Sequence, residues 1–89
     1  MTVEQTIRAK LMSAFAPSLL EIADESDRHR GHGGWREGGE THFRIVMHST
    51  RFRGMNRVAR QRAVYDVLRD DLGDEGIHAL SMRLEEDEG

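Results

Sequence analysis

Residues 41–49, Thr-His-Phe-Arg-Ile-Val-Met-His-Ser, constrain the fold more than any other stretch of the chain. Phe43, Ile45 and Met47 alternate with His42, Arg44, Val46 and His48. A period of two suits a strand with one face on a core and the other in a more polar setting. Such a strand needs partner strands and a cover for its apolar face. Both must come from the same 89 residues, which leaves room for one domain and one small core.

Two helical patterns offer the cover. Val3, Ile7, Leu11 and Phe15 recur at steps of four, behind a capping-box signature of Thr2 and Gln5. Pro17, the sole proline, is expected to end that helix at about Ala16, because it restricts the preceding residue and cannot donate a backbone bond. The second pattern runs over 57–73. Val58, Gln61, Tyr65, Leu68 and Leu72 fall at helical spacing there, Val64 lies beside them, and Gly73 provides the stop. Gly54 marks a turn ahead of it.

The partner strands are 18–26, with Leu20 and Ile22 on one face, and 77–84, with His78, Leu80, Met82 and Leu84 in one alternating set. The order is helix, strand, strand, helix, strand. An antiparallel pairing of the first two strands and a parallel pairing of the last two, through a helical crossover, follow from the connections. The expected class is α+β, a three-stranded mixed sheet with helices on one face. Residues 1–84 form a single domain, and the acidic residues 85–89 are expected as a disordered tail.

Composition enters chiefly by exclusion. Zero cysteines remove disulfides, thiolate metal ligands and thiol nucleophiles, so any metal must be held by histidine, carboxylate or a partner's groups. No apolar run is long enough to suggest a membrane span. The start, MTVEQTIRAKLMSAF, lacks the basic region, apolar run and cleavage site of a secretory signal, so a cytoplasmic address is expected. Ser13, Ser18, Ser26, Ser49 and Ser81 have no glycine-elbow context, and Asp70 and Asp71 belong to an expected solvated helix. GHGGW lacks the Lys-Ser/Thr step of a phosphate loop. An enzyme is not expected.

The formal net charge of −3 conceals an uneven distribution. All but Lys10 of the 13 Lys and Arg residues are arginine, and Arg51, Arg53, Arg57, Arg60 and Arg62 follow one another with no acid between them. The plainer reading of such a run is a solvated helix; the functional one is a face for phosphates or for an acidic partner. Arg57, Arg60 and Arg62 are the candidates for nucleic-acid contact. The turn before them, GMNR (54–57), has the first glycine of a GXXG phosphate-backbone loop but not the second.

The stretch DRHRGHGGWREGGETHF (27–43) sets His29 and His32 among Gly31, Gly33, Gly34, Gly38 and Gly39. On residues alone, this is a solvent-exposed connection. Trp35 has little to pack on within so small a domain and reads better as an interface anchor. His42 and His48 read as structural or partner-facing, and His78 as a half-buried polar residue at the start of a strand.

Taken in order, DES (24–26) with His29 and GH at 31–32, ETHFRIVMHS (40–49), RFRGM (51–55), RVARQRAVYDVL (57–68) and IHALSMRL (77–84) resemble the BolA family. The matching stretches cover most of the chain. The resemblance implies a class II KH-like fold of α-β-β-α-β order, in agreement with the pattern reading.

It further implies a protein that is monomeric alone and pairs with a monothiol glutaredoxin, sharing a [2Fe-2S] cluster in iron-sulfur trafficking or iron regulation. Transcriptional regulation in stress response, with direct DNA contact through the helical region, is the second role that it implies. The family's loop ligand maps to His29, with His32 as the alternative, and its strand ligand to His78. Histidine can replace thiolates on one iron of such a cluster. The partner's cysteine and a glutathione bound to it would then hold the other iron. A loop rich in glycine can approach a cluster and a partner backbone closely. The family's Arg-His-Arg at the start of the long helix reads Arg60-Gln61-Arg62 here, so no role of that middle histidine carries over.

Overall fold

The computed structural model describes residues 2–25, 42–73, 77 and 79–87. Helix α1 (Val3–Phe15) starts at the expected box. The Thr2 hydroxyl accepts the Gln5 N–H at 3.1 Å, and the Gln5 side-chain oxygen accepts the Thr2 N–H at 2.8 Å. These reciprocal bonds satisfy donors that a helix N-terminus leaves open. Ile7, Leu11 and Phe15 form its buried stripe. Ala16 caps the other end at φ 43°, ψ 53°, ahead of Pro17. The last carbonyls of α1 find tertiary donors, Ser49 Oγ on Phe15 O at 2.7 Å and Arg51 Nη1 on Ala14 O.

Strands β1 (Leu19–Asp24), β2 (His42–Ser49) and β3 (Ala79–Glu86) form one sheet in the order β1-β2-β3. β1 is antiparallel to β2, and β3 is parallel to it. The register places Ile45 between Ile22 and Met82, and Met47 between Leu20 and Leu84. One apolar face results, and it packs on Ile7, Leu11 and Phe15 of α1, on Val64 of helix α2 (Arg57–Val67), and on Phe52. Glu21, Arg44, Val46, Ser81 and Arg83 share the other face by alternation. The fold is thus α+β, with both helices on one side of a mixed sheet.

Three expectations are corrected. The second helix does not run unbroken to Gly73: α2 ends at Val67, and a 3-10 turn covers Arg69–Asp71. Its buried side differs in part: Leu68 of the expected stripe is fully buried, but Val58 is 55% and Tyr65 39% exposed, and Val64, expected beside the stripe, is fully buried. The helix turns Val64 and Leu68 to the core, with Ala63 and Val67 packed against it, and Arg60, one turn before Val64, bonds backbone carbonyls on that side. Finally, the strand expected over 77–84 lies at Ala79–Glu86, so Glu85 and Glu86 of the expected disordered tail are paired with His48 and Ser49. β2 extends far enough to template them, and the Asp87 N–H donates to Ser49 O at 3.1 Å. Residues 88 and 89 lie outside the described residues.

The turn after α2 is tied to α1 by the only lysine. Lys10 Nζ lies 2.6 Å from Asp71 Oδ2, with the two side chains 36% and 20% exposed. Asp71 O in turn accepts the N–H of the buried Ile77 at 2.9 Å, and Gly73 N–H donates to Ile77 O at 3.1 Å. Lys10→Met is therefore expected to cost about 0.5–1 kcal/mol, a partly solvated ion pair being worth no more. Melting curves should fall by about 2–8 °C for a domain of this size. A Lys10→Met/Asp71→Asn cycle with no coupling would show that the pair contributes nothing.

Candidate functional site

The sequence points to two sets of residues, and the sheet assigns their surroundings to opposite ends. At the N-terminal end of β2, the Glu25 N–H donates to His42 O at 2.7 Å, and His42 is paired with Ala79 on the other side. The points where segment 26–41 leaves β1 and enters β2, and the residue that follows His78, therefore lie on three neighbouring strands. At the usual strand spacing these span about 10 Å. His42 itself is buried at 8% exposure. His48 is half-buried, registered between Leu19 and Glu85.

His29, His32, Trp35 and His78 lie outside the described residues. Among the described residues, no three His, Asp or Glu side chains come together as a metal site. The donor chemistry fits half a cluster site at most, because the chain has no cysteine and its candidate ligands are neutral imidazoles.

At the other end, eight residues and about 23 Å along β2, the chain turns through Thr50–Phe52 and Gly54 into α2. Gly54 has φ +75°, a conformation that an L side chain would strain. Asn56 caps the helix, its Oδ1 accepting the Ala59 N–H at 2.8 Å. A groove of about 440 Å³ opens between this first turn and β3, lined by Met55, Asn56, Arg57, Arg60, Met82 and Leu84.

The three arginines named from the sequence are not equivalent. Arg57 and Arg62 are exposed. Arg60 is 17% exposed in its side chain and committed inward: Nε donates to Met55 O at 2.9 Å and Nη1 to Leu84 O at 3.0 Å, while the guanidinium lies 5.8 Å from the Phe52 ring centroid. One participant, Glu86, escaped sequence reading, which expected it in a disordered tail, and Arg53 was named there only as part of the arginine run. Glu86 reaches Arg53 Nε at 3.8 Å and Arg60 Nη2 at 3.9 Å. No spacing rule joins residues 33 and 26 positions apart; only the parallel register of β3 on β2 brings them together.

The family model described as BolA-like protein matches residues 11–88. The chain belongs to the BolA-like family. The BolA-like chain is 46% identical over 83 residues to a Sinorhizobium protein described only by its position in the cobS 5′ region, with 92% of this chain and 88% of that one aligned. It is 38% identical over 82 residues to the DNA-binding transcriptional regulator BolA of Escherichia coli, covering 92% of this chain and 73% of the relative. Among solved structures, the BolA domain of SufE1 from Arabidopsis thaliana superposes with a TM-score of 0.81 at 40% identity, over 92% of this chain and 88% of that one. No helix among the described residues is long and apolar enough to cross a membrane.

Proposed function

We propose that this BolA-like protein is a non-enzymatic adaptor that binds a monothiol glutaredoxin and shares a [2Fe-2S] cluster with it, in iron-sulfur trafficking or iron regulation. The support is the convergence at one sheet end: Glu25, just past β1, bonds His42 on β2, and His42 is paired with Ala79, the residue that follows His78 in sequence, so both flanks of segment 26–41 border the start of β3. His29 and His78 are the ligands in this reading, with His32 the alternative and Trp35 the partner anchor. A glutaredoxin cysteine and its bound glutathione complete the set. When bound, the cluster supplies one-electron chemistry or cargo iron and sulfide. The chain contributes imidazole nitrogens, which are neutral donors and raise the cluster potential relative to thiolates.

The test mixes the protein with a glutathione-loaded, cluster-bearing monothiol glutaredoxin and follows visible absorption and circular dichroism. A new heterodimer spectrum is expected, altered by His29→Ala and by His78→Ala. An unchanged glutaredoxin spectrum with no complex would sink the reading.

A second reading has its own observation. Arg57 and Arg62 are exposed, and Arg57 lines the groove at the capped start of α2, while bacterial relatives carry the name DNA-binding transcriptional regulator. In this reading the arginines of that end meet DNA phosphates, and binding weakens steeply with salt by counterion release. The flanks of the histidine-bearing segment lie at the end of β2 away from Arg57, so substitutions in one set are expected to leave the other assay unchanged.

A further inference from the structure

We propose that the carboxylate of Glu86 occupies a phosphate subsite formed by Arg53 and Arg60, and that a backbone phosphate of duplex DNA takes its place. The inference rests on the DNA reading and deepens it, adding Arg53 as a contact and Glu86 as an internal competitor. One carboxylate faces two guanidinium groups here, Oε1 toward Arg53 Nε at 3.8 Å and Oε2 toward Arg60 Nη2 at 3.9 Å.

Arg60 is pre-organised for the task. With Nε and Nη1 held by Met55 O and Leu84 O, Nη2 is the nitrogen left for an anion, and its direction is set by the fold. A guanidinium held in this way loses little freedom when it binds phosphate. Arg60 also lines the groove that holds Asn56, Arg57, Arg83 and Glu85, so a DNA strand whose phosphate reaches Arg60 would meet a second cation, Arg57, there.

The present occupant is easy to displace. Both N···O separations exceed hydrogen-bond length, and the side chains of Arg53 and Glu86 are 54% and 40% exposed. A phosphate oxygen that closes to bonding distance forms stronger, charge-assisted bonds to the same nitrogens. Glu86 leaves with its charge, and its carboxylate then takes up a solvent cation. Binding in the natural protein therefore releases fewer counterions than the arginines alone would allow.

The experiment measures the anisotropy of a labelled mixed-sequence DNA duplex across a salt series, with the wild type, Glu86→Gln, Arg53→Ala and the double variant. Glu86→Gln is expected to bind about three- to five-fold tighter at low salt, the range that a surface ion pair accounts for. Its slope of log K against log salt should steepen by about one. Arg53→Ala is expected to abolish both gains in the double variant.

An unchanged affinity and slope in Glu86→Gln, with Arg57→Ala and Arg62→Ala still weakening the wild type, would overturn the subsite and leave the DNA reading standing. Absence of salt-dependent binding by every protein would overturn both. Inorganic phosphate at matched ionic strength is expected to compete no better than chloride; strong competition would reassign the subsite to a small phosphate ligand and overturn the DNA assignment.

Discussion

Phe52→Ala is expected to remove about 3–5 kcal/mol of folding stability, the usual cost of truncating a fully buried phenylalanine. Phe52 is 0% exposed and ends the short 3-10 helix Thr50–Phe52 between β2 and α2. Its ring meets that of Phe15 at a centroid distance of 5.2 Å and a tilt of 38°, so it joins the end of α1 to the start of α2. The Arg60 guanidinium covers it from the solvent side. Domains of this length have about 4–13 kcal/mol in all, so the variant should melt about 12–40 °C lower. Urea titration with two probes is the measurement. A loss below about 1.5 kcal/mol would show that the site collapses around the missing ring, and Phe52→Leu should recover most of the difference.

Arg60→Ala is expected to cost about 2 kcal/mol, while Arg57→Ala and Arg62→Ala change stability by less than about 0.5 kcal/mol. Arg60 donates to two backbone carbonyls, one beside the groove and one on β3, and joins the first turn of α2 to the sheet. Removing it leaves Met55 O and Leu84 O short of donors at a half-buried position. Arg60→Lys is not expected to rescue, since an ammonium cannot reproduce the planar fork that reaches both carbonyls and still faces Glu86. Chemical denaturation of the four proteins decides the matter; equal midpoints for Arg60→Ala and Arg57→Ala would remove the structural role. The distinction bears on function. A DNA-binding defect in Arg57→Ala or Arg62→Ala reports on contact, whereas one in Arg60→Ala mixes contact with folding.

Much of the fold was legible because its signals are local. The Thr2/Gln5 box, the four-residue stripe ending at Phe15, the stop at Pro17 and the alternation of β2 each depend on neighbours within a few residues, and each is where the spacing predicts. The buried side of α2 was not legible in this way. A periodicity count ranks Val58 and Tyr65 above Arg60, yet the arginine faces inward because Met55 O and Leu84 O give it hydrogen bonds that no sequence window contains. The end of β3 failed for a similar reason. Glu85 and Glu86 look like a solvated tail, but β2 is long enough to pair them with His48 and Ser49.

For the candidate sites, His29, His78 and the cluster proposed for them came from the resemblance of ordered motifs, and the architecture adds that their described flanks share one end of the sheet. By itself, the sequence determined the element order, the one-sided core and the absence of any thiol, since these follow from residue type and short-range spacing. Tertiary structure alone decided that the flanks of segment 26–41 lie at the end of β2 away from the arginines, that Arg60 is held inward by its own hydrogen bonds, and that Glu86 faces Arg53. Those relations depend on strand register, and register is settled by the packing of Ile22, Ile45 and Met82 on one face, because a one-residue slip of any strand would turn its own apolar set to solvent.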